Sequence, residues 1–115
     1  MSYIDGFVVA VPTANKEMYV HHARTAAAVF KEHGALSVVE AWGDDVPEGK
    51  LTSFPLAVQR KSDETVVFSW VAWRDKQARD VGMKKVMEDK RFASMEMPFD
   101  GKRMIYGGFE VVLDV

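Results

Sequence analysis

Four main stretches of the chain and one short extra one have the apolar alternation or run of β-strands, and two carry the three-to-four-residue apolar spacing of helices. Tyr3 to Val11 is rich in aromatic and β-branched residues and stops at Pro12, which predicts a first strand. Asn15 is placed to cap a helix with Glu17 and Met18 in its first turn. That helix runs to about His33 and ends at Gly34, the residue type that most easily adopts the left-handed conformation past a helix end. Tyr19, Ala23, Ala26 and Phe30 share one of its faces, with His21, Arg24 and Ala28 opposite. Ala35 to Trp42 is a second strand, and 43–50 is dense in turn formers. Leu56 to Gln59 reads as a short extra strand, a hairpin arm closing at 61–64. Thr65 to Trp73 is the strongest strand pattern. A second helix follows from Lys76 to Glu88, with Asp75 as cap and Ala78, Val81, Gly82 and Val86 on its apolar side. Gly82 costs that helix about 1 kcal/mol relative to alanine, a cost that close packing against a sheet would offset. A methionine-rich connection, 91–100, leads to a last strand from Arg103 to Leu113.

The order β-α-β-β-α-β predicts an α+β, ferredoxin-like sandwich of residues 1–115 as a single domain, with the first and third strands central. Both faces of the sheet are apolar. Phe7, Val9 and Val11 alternate with Ile4, Val8 and Ala10, while Val67, Val71 and Trp73 alternate with Val66, Phe68 and Trp70. Two helices cover one face only. The other would be an apolar patch of a size that soluble monomers rarely expose, so a homodimer through the sheet face is expected. The pair Gly107-Gly108 in the last strand is then either a bend for the partner or a bulge.

The chain has 115 residues, no cysteine and a net charge of −2. Thiolate catalysis, disulfides and Cys-ligated metals are excluded. No basic block marks a nucleic-acid surface. The longest apolar run, Phe7 to Val11, is far short of the roughly 20 residues of a membrane span. The N-terminus lacks a basic region and Asp5 interrupts its apolar stretch, so no secretory signal and a cytoplasmic location are expected. His21 and His22 are adjacent on a helix and face different ways, and His33 is three turns on, so no metal site is expected. No phosphate-binding glycine loop, dinucleotide fingerprint or nucleophile elbow occurs, and no cofactor is predicted.

Seven residues are candidates for ligand binding. Asp5 lies in a central strand beside Tyr3 and Phe7, where a carboxylate needs a partner or a raised pKa; it is either a pocket base or a paired structural acid. Glu40 and Trp42 share a face of the second strand, as pocket lining or as an edge-strand acid beside a packed ring. His22 flanks the apolar stripe of the first helix. Trp70 and Trp73 point to opposite faces and cannot sandwich one ligand. Arg103 could reach Asp5 or an anionic ligand, and Tyr106 could turn its hydroxyl into a cavity. Met83, Met87, Met95, Met97 and Met104 suit irregular apolar space, such as a pocket under the second helix.

Three stretches, "YIDGFVVAVP", "GDDVPEGKLTSFP" with "ETVVFSW", and "MPFDGKRMIYGGFEV", resemble the YbaA-like bacterial proteins, domain of unknown function 1428. The resemblance runs nearly end to end. It implies a dimeric α/β barrel, in which two ferredoxin-like sheets close on each other across a dimer. It carries no catalytic residues with it. Several proteins of that wider superfamily place a functional histidine on or near the second helix, where this chain has Lys84 and Lys85, which argues against haem ligation and against the usual monooxygenase reading. The residues leave three functions open. One is binding of a small apolar or aromatic metabolite between sheet and helices. Another is monooxygenase-like or isomerase-like catalysis with Asp5 or His22 as base and Arg103 opposing negative charge. The third is a purely structural dimer.

Overall fold

A computed structural model describes residues 2–115. Strand β1 (Tyr3–Pro12) leads through a 3-10 turn at Thr13–Asn15 into helix α1 (Lys16–Glu32). Strand β2 (Ser37–Trp42), a single helical turn α2 (Phe54–Ala57) and strand β3 (Glu64–Trp73) follow. Helix α3 (Lys76–Glu88), a short α4 (Lys90–Ala93), a 3-10 turn at Gly101–Arg103 and strand β4 (Ile105–Glu110) complete the chain. The antiparallel sheet has the order β2-β3-β1-β4, so the two most apolar strands are central, as expected of a ferredoxin-like sandwich.

Helices α1 and α3 cover the face that carries Asp5, Phe7, Val9, Val67, Val71 and Trp73. Trp73 is fully buried there, between Phe30 of α1 and Val86 of α3. Gly82 is what lets α3 lie on that indole. A Cβ at this position would overlap Trp73 Cζ3 and the His33 carbonyl oxygen. The helix thus accepts the roughly 1 kcal/mol propensity penalty of glycine in exchange for contact with the largest core side chain. Asp75 caps α3 by accepting from the Ala78 amide at 2.8 Å. Asn15 holds the cap position of α1 without a side-chain hydrogen bond. Gly34 ends that helix at φ +107°.

The segment between β2 and β3 departs from the sequence expectation. Phe54–Ala57 is helical, not a hairpin arm, because Ser53 caps it by accepting from the Leu56 amide at 3.0 Å and Pro55 fits the first turn. This segment folds back over the helix-free face and drives Val58 onto Val8, Ala10 and Val66, where it is completely buried. Burial of one such valine is worth about 1.5–3 kcal/mol. The chain therefore covers part of its second face itself. The rest stays open: Phe68, at the margin against Phe54, is 43 %, Ile105 44 % and Phe109 57 % exposed.

The glycine pair in β4 marks no bulge. Pairing with β1 is unbroken from Tyr3↔Glu110 to Val8↔Ile105. Each glycine clears its own face. A side chain at Gly108 would overlap the Arg79 guanidinium and the Tyr3 ring, which lie over β4. Gly107 pairs with Gly6 on the helix-free face, and the Phe109 ring lies 3.5–3.6 Å from the Cβ positions of both.

Candidate functional site

Between the sheet and α1 the layer is not filled. A cavity of about 160 Å³ opens there. Its floor is sheet, including Phe7, Val38 and Val71, and its roof is the α1 stripe, including Tyr19, Ala26 and Phe30. Its outer wall is the methionine-rich connection, which contributes Phe92, Met97 and Phe99, with Met104 following from the residue just before β4. The periodicity of α1 explains the roof: the stripe that should be core is core at its ends, where Tyr19, Ala23 and Phe30 are buried, and leaves space at Ala26 because alanine is too short to fill it.

Polar groups converge at one end. Tyr19 Oη donates to Glu40 Oε1 at 2.6 Å, and the buried Ser69 and the half-buried His22 line the same wall. Burial pushes the Tyr19 phenol far above its usual range, with the neighbouring Glu40 charge adding to the effect, so it stays protonated. Crowding by protein atoms raises the Glu40 pKa, and hydrogen bonds from Tyr19 and Ser69 pull it part of the way back. Glu40 is nevertheless exposed on one flank, since β2 is an edge strand and the cavity opens beside it; solvent there limits the shift. Burial lowers the His22 pKa, which favours the neutral imidazole. Its ring lies 6.2 Å from Tyr19 and edge-on to Phe99 at 6.1 Å.

Of the sequence candidates, the cavity brings together His22 and Glu40. Trp42 sits beside them, packed on Tyr19 at 6.2 Å with the Lys16 ammonium over its outer face. The others lie elsewhere. Asp5 is buried at the opposite end of the layer, where it accepts from Trp73 Nε1 at 2.9 Å and from Arg79 Nε at 3.1 Å. Arg103 does not reach Asp5. It lies in the turn before β4 and forms a bidentate pair with Glu64 at 2.8 and 2.7 Å, with a further bond to the Gln59 carbonyl at 2.9 Å. That clasp ties the covering segment to the sheet where Gln59 adopts φ +50°. Trp70 lies on the helix-free face against Phe68 at 5.5 Å. Tyr106 stacks on Phe7 but is 74 % exposed, because neither long helix extends over that part of β4. The pocket lies under α1, not under the second long helix, and takes Met97 and Met104 as walls while Met87 points to solvent.

Sequence patterning misses three residues of this cavity. Tyr19 is legible only as core, and nothing in the chain joins it to Glu40 across the layer. Ser69 interrupts an apolar strand and is the one available sign of a polar spot. Phe99 comes from a connection with no period. Among the described residues no three His, Asp or Glu side chains are placed to hold a metal ion, and no helix is long and apolar enough to cross a membrane.

Comparison with known proteins places this architecture. The chain is similar over nearly its whole length to two solved structures. One is a dimeric ferredoxin-like protein from an uncultured marine organism, with TM-score 0.60, 10% identity, and coverage of 99% of this chain and 98% of that one. The other is a variant of SnoaB, a cofactor-independent oxygenase from Streptomyces nogalater, with TM-score 0.57, 15% identity, and coverage of 99% and 96%. At these identities the likeness concerns the fold. In sequence, the chain is 53% identical to the uncharacterized protein YbaA of Escherichia coli K12 over 116 residues, covering 99% of each. The same identity and coverage hold for YbaA of Shigella flexneri. Residues 2–101 match the family model described as "Protein of unknown function (DUF1428)", and the chain belongs to that family.

Proposed function

We propose that this protein is a homodimer that binds a small apolar or aromatic metabolite in the cavity beneath α1. One observation carries the reading. An apolar space of about 160 Å³ has its polar groups, Glu40, Tyr19, Ser69 and His22, gathered at one end, which is the arrangement that orients a ligand as well as enclosing it. An apolar cavity of about 150 Å³ accommodates benzene, so the ligand is of single-ring size. The unfilled interior speaks against a purely structural role.

The open part of the helix-free face supports the dimer. Phe68, Trp70, Ile105 and Phe109 form one apolar surface there, and a standard interface needs about 800 Å² from each partner. The dimeric ferredoxin-like neighbour is consistent with this pairing. Native mass spectrometry of the purified chain tests both parts. The expected result is a dimer that carries a small ligand, a monomer for Trp70→Glu, and an empty dimer for Ala26→Trp, which fills the cavity. A wild-type monomer at micromolar concentration would overturn the assembly; an unchanged ligand load in Ala26→Trp would overturn the site.

A second reading is a cofactor-independent oxygenase. The fold likeness to SnoaB favours it, as do two proton acceptors, Glu40 and His22, in an apolar pocket. Oxygen uptake with single-ring hydroquinones, abolished in Glu40→Gln, is its test; no uptake by the wild-type protein leaves the binding role alone.

A further inference from the structure

The cavity has an asymmetry of charge. Glu40 is a carboxylate whose neighbours are two hydroxyls, Tyr19 and Ser69, with no cationic group beside it. No Lys or Arg occurs among the residues that line the space. The remaining wall is largely aromatic: Phe7, Tyr19, Phe30, Phe92 and Phe99, some of them packed on one another at 5.8–5.9 Å. The faces of such rings carry negative quadrupole charge and attract cations. The one formally charged side chain fixed in the lining is therefore negative, and the other polar groups there are the Tyr19 and Ser69 hydroxyls and the His22 ring. An anionic ligand would meet the Glu40 carboxylate with no Lys or Arg to oppose it. A neutral ring would leave Glu40 without a partner of opposite sign.

We infer that the natural occupant of this cavity is an organic ammonium cation, a primary or quaternary amine on a group of single-ring size, with its nitrogen against Glu40 and its apolar body between the aromatic walls. This rests on the cavity being the binding site. The edge position of β2 makes the pairing favourable. Glu40 keeps one flank in solvent, so an ammonium group can pair with it while its other hydrogens stay hydrated, and the full penalty of a dry ion pair does not arise. The neutral His22 imidazole, whose pKa burial lowers, offers a hydrogen-bond acceptor and no repulsion. The Tyr19–Glu40 bond engages Oε1 and holds the carboxylate in place at the cavity's edge.

Three probes of one shape and different charge test this at neutral pH: benzylammonium, benzyl alcohol and benzoate. Binding to the full-length chain is followed by calorimetry and by backbone amide shifts of Ala23 and Ser69. Benzylammonium is expected to bind about tenfold or more tighter than benzyl alcohol, and benzoate not to bind. Glu40→Gln should erase the preference for the amine, bringing its affinity to within about twofold of that of benzyl alcohol measured on the same variant. Phe99→Leu, which keeps the apolar volume and removes a ring face, should weaken the amine more than the alcohol. Equal affinity for amine and alcohol would overturn the charge inference and leave the binding site standing. No shift with any of the three probes would overturn the site and the inference with it.

Discussion

The two ends of the helix-covered layer hold one carboxylate each, and they are built on opposite plans. At the α3 end Asp5 is 5 % exposed and fully engaged, with the Arg79 guanidinium on both of its oxygens and the Trp73 indole on one. Gly82 brings the helix down until no space is left. At the α1 end Glu40 has hydroxyl partners only, and the helix presents Ala26 to an open volume. The first acid has no valence left for a ligand. The second has a solvent-facing flank, a largely aromatic wall beside it and an entrance. In a layer of two similar helix-on-sheet contacts, the closed end serves stability, and the end with uncompensated charge and unfilled volume is the one proposed to take a ligand.

The sharpest way to test the contrast is to remove each acid. Asp5→Ala leaves Arg79 and the Trp73 N–H without their partner in a buried setting, and should cost about 3–5 kcal/mol. Glu40→Gln keeps an acceptor for Tyr19 at an exposed edge and should change stability by no more than about 0.5 kcal/mol. Urea unfolding of the two variants measures the difference. Similar losses in both would remove the distinction.

Glu64 is a third carboxylate and serves as the acid-side control. Its hydrogen bonds to the Arg103 guanidinium hold its pKa at about 2, and its side chain is only 5 % exposed. A folded-state value below the ordinary 4.5 means that this group stabilises the protein above pH 4.5, and that the stabilisation is lost as pH falls through about 2. The loss should be about 2–3 kcal/mol and should be missing from Glu64→Gln, which is less stable at neutral pH. Because Arg103 also holds the Gln59 carbonyl, acid should loosen the segment over the helix-free face first, visible as faster amide exchange at Val58 and Gln59.

Volume gives the next contrast. Gly82→Ala sets a methyl group against Trp73 and the His33 carbonyl and should cost about 1–3 kcal/mol. Ala26→Val adds two methyl groups at the cavity and should be neutral or mildly stabilising while it weakens ligand binding. Thermal unfolding midpoints separate the two; equal losses would mean that the α1 end is as tightly packed as the α3 end.

Much of this is legible in the chain, and the parts that are not share a cause. Strand and helix positions follow from local period: α3 spans Lys76–Glu88 as predicted, and β1 and β3 are central because they are the most apolar. The role of Gly82 follows as well, since a glycine on the apolar side of a helix that must lie on a sheet marks the point of closest approach. Non-local pairings do not follow. Arg103 binds Glu64 and not Asp5, and Asp5 takes Arg79, which no pattern singles out. The Phe54–Ala57 turn forms against the strand expectation because a Ser-x-Pro cap outweighs the β-like composition of four residues. Residue type and neighbourhood nominate His22 and Glu40, but their meeting beneath α1 depends on the aperiodic connection that supplies Phe99.

The smallest expected effect bears on Glu40 directly and has the opposite sign to that of Glu64. Crowding raises the folded-state pKa of Glu40, so the protonated form is favoured by folding and its contribution is complete below the unfolded value. It disappears as pH rises through the folded value, on the alkaline side of 4.5, whereas the Glu64 contribution disappears on the acid side. Stability measured between pH 4 and 7 should therefore fall slightly more in the wild-type protein than in Glu40→Gln, by less than about 0.5 kcal/mol because solvent reaches one flank of the carboxylate. Addition of benzylammonium should reverse this slope, since a bound cation stabilises the ionised form that folding alone disfavours. A wild-type profile that rises more steeply than the variant's over this interval would mean that Glu40 already has a positive partner in the folded protein. The two ends of the layer would then be alike after all.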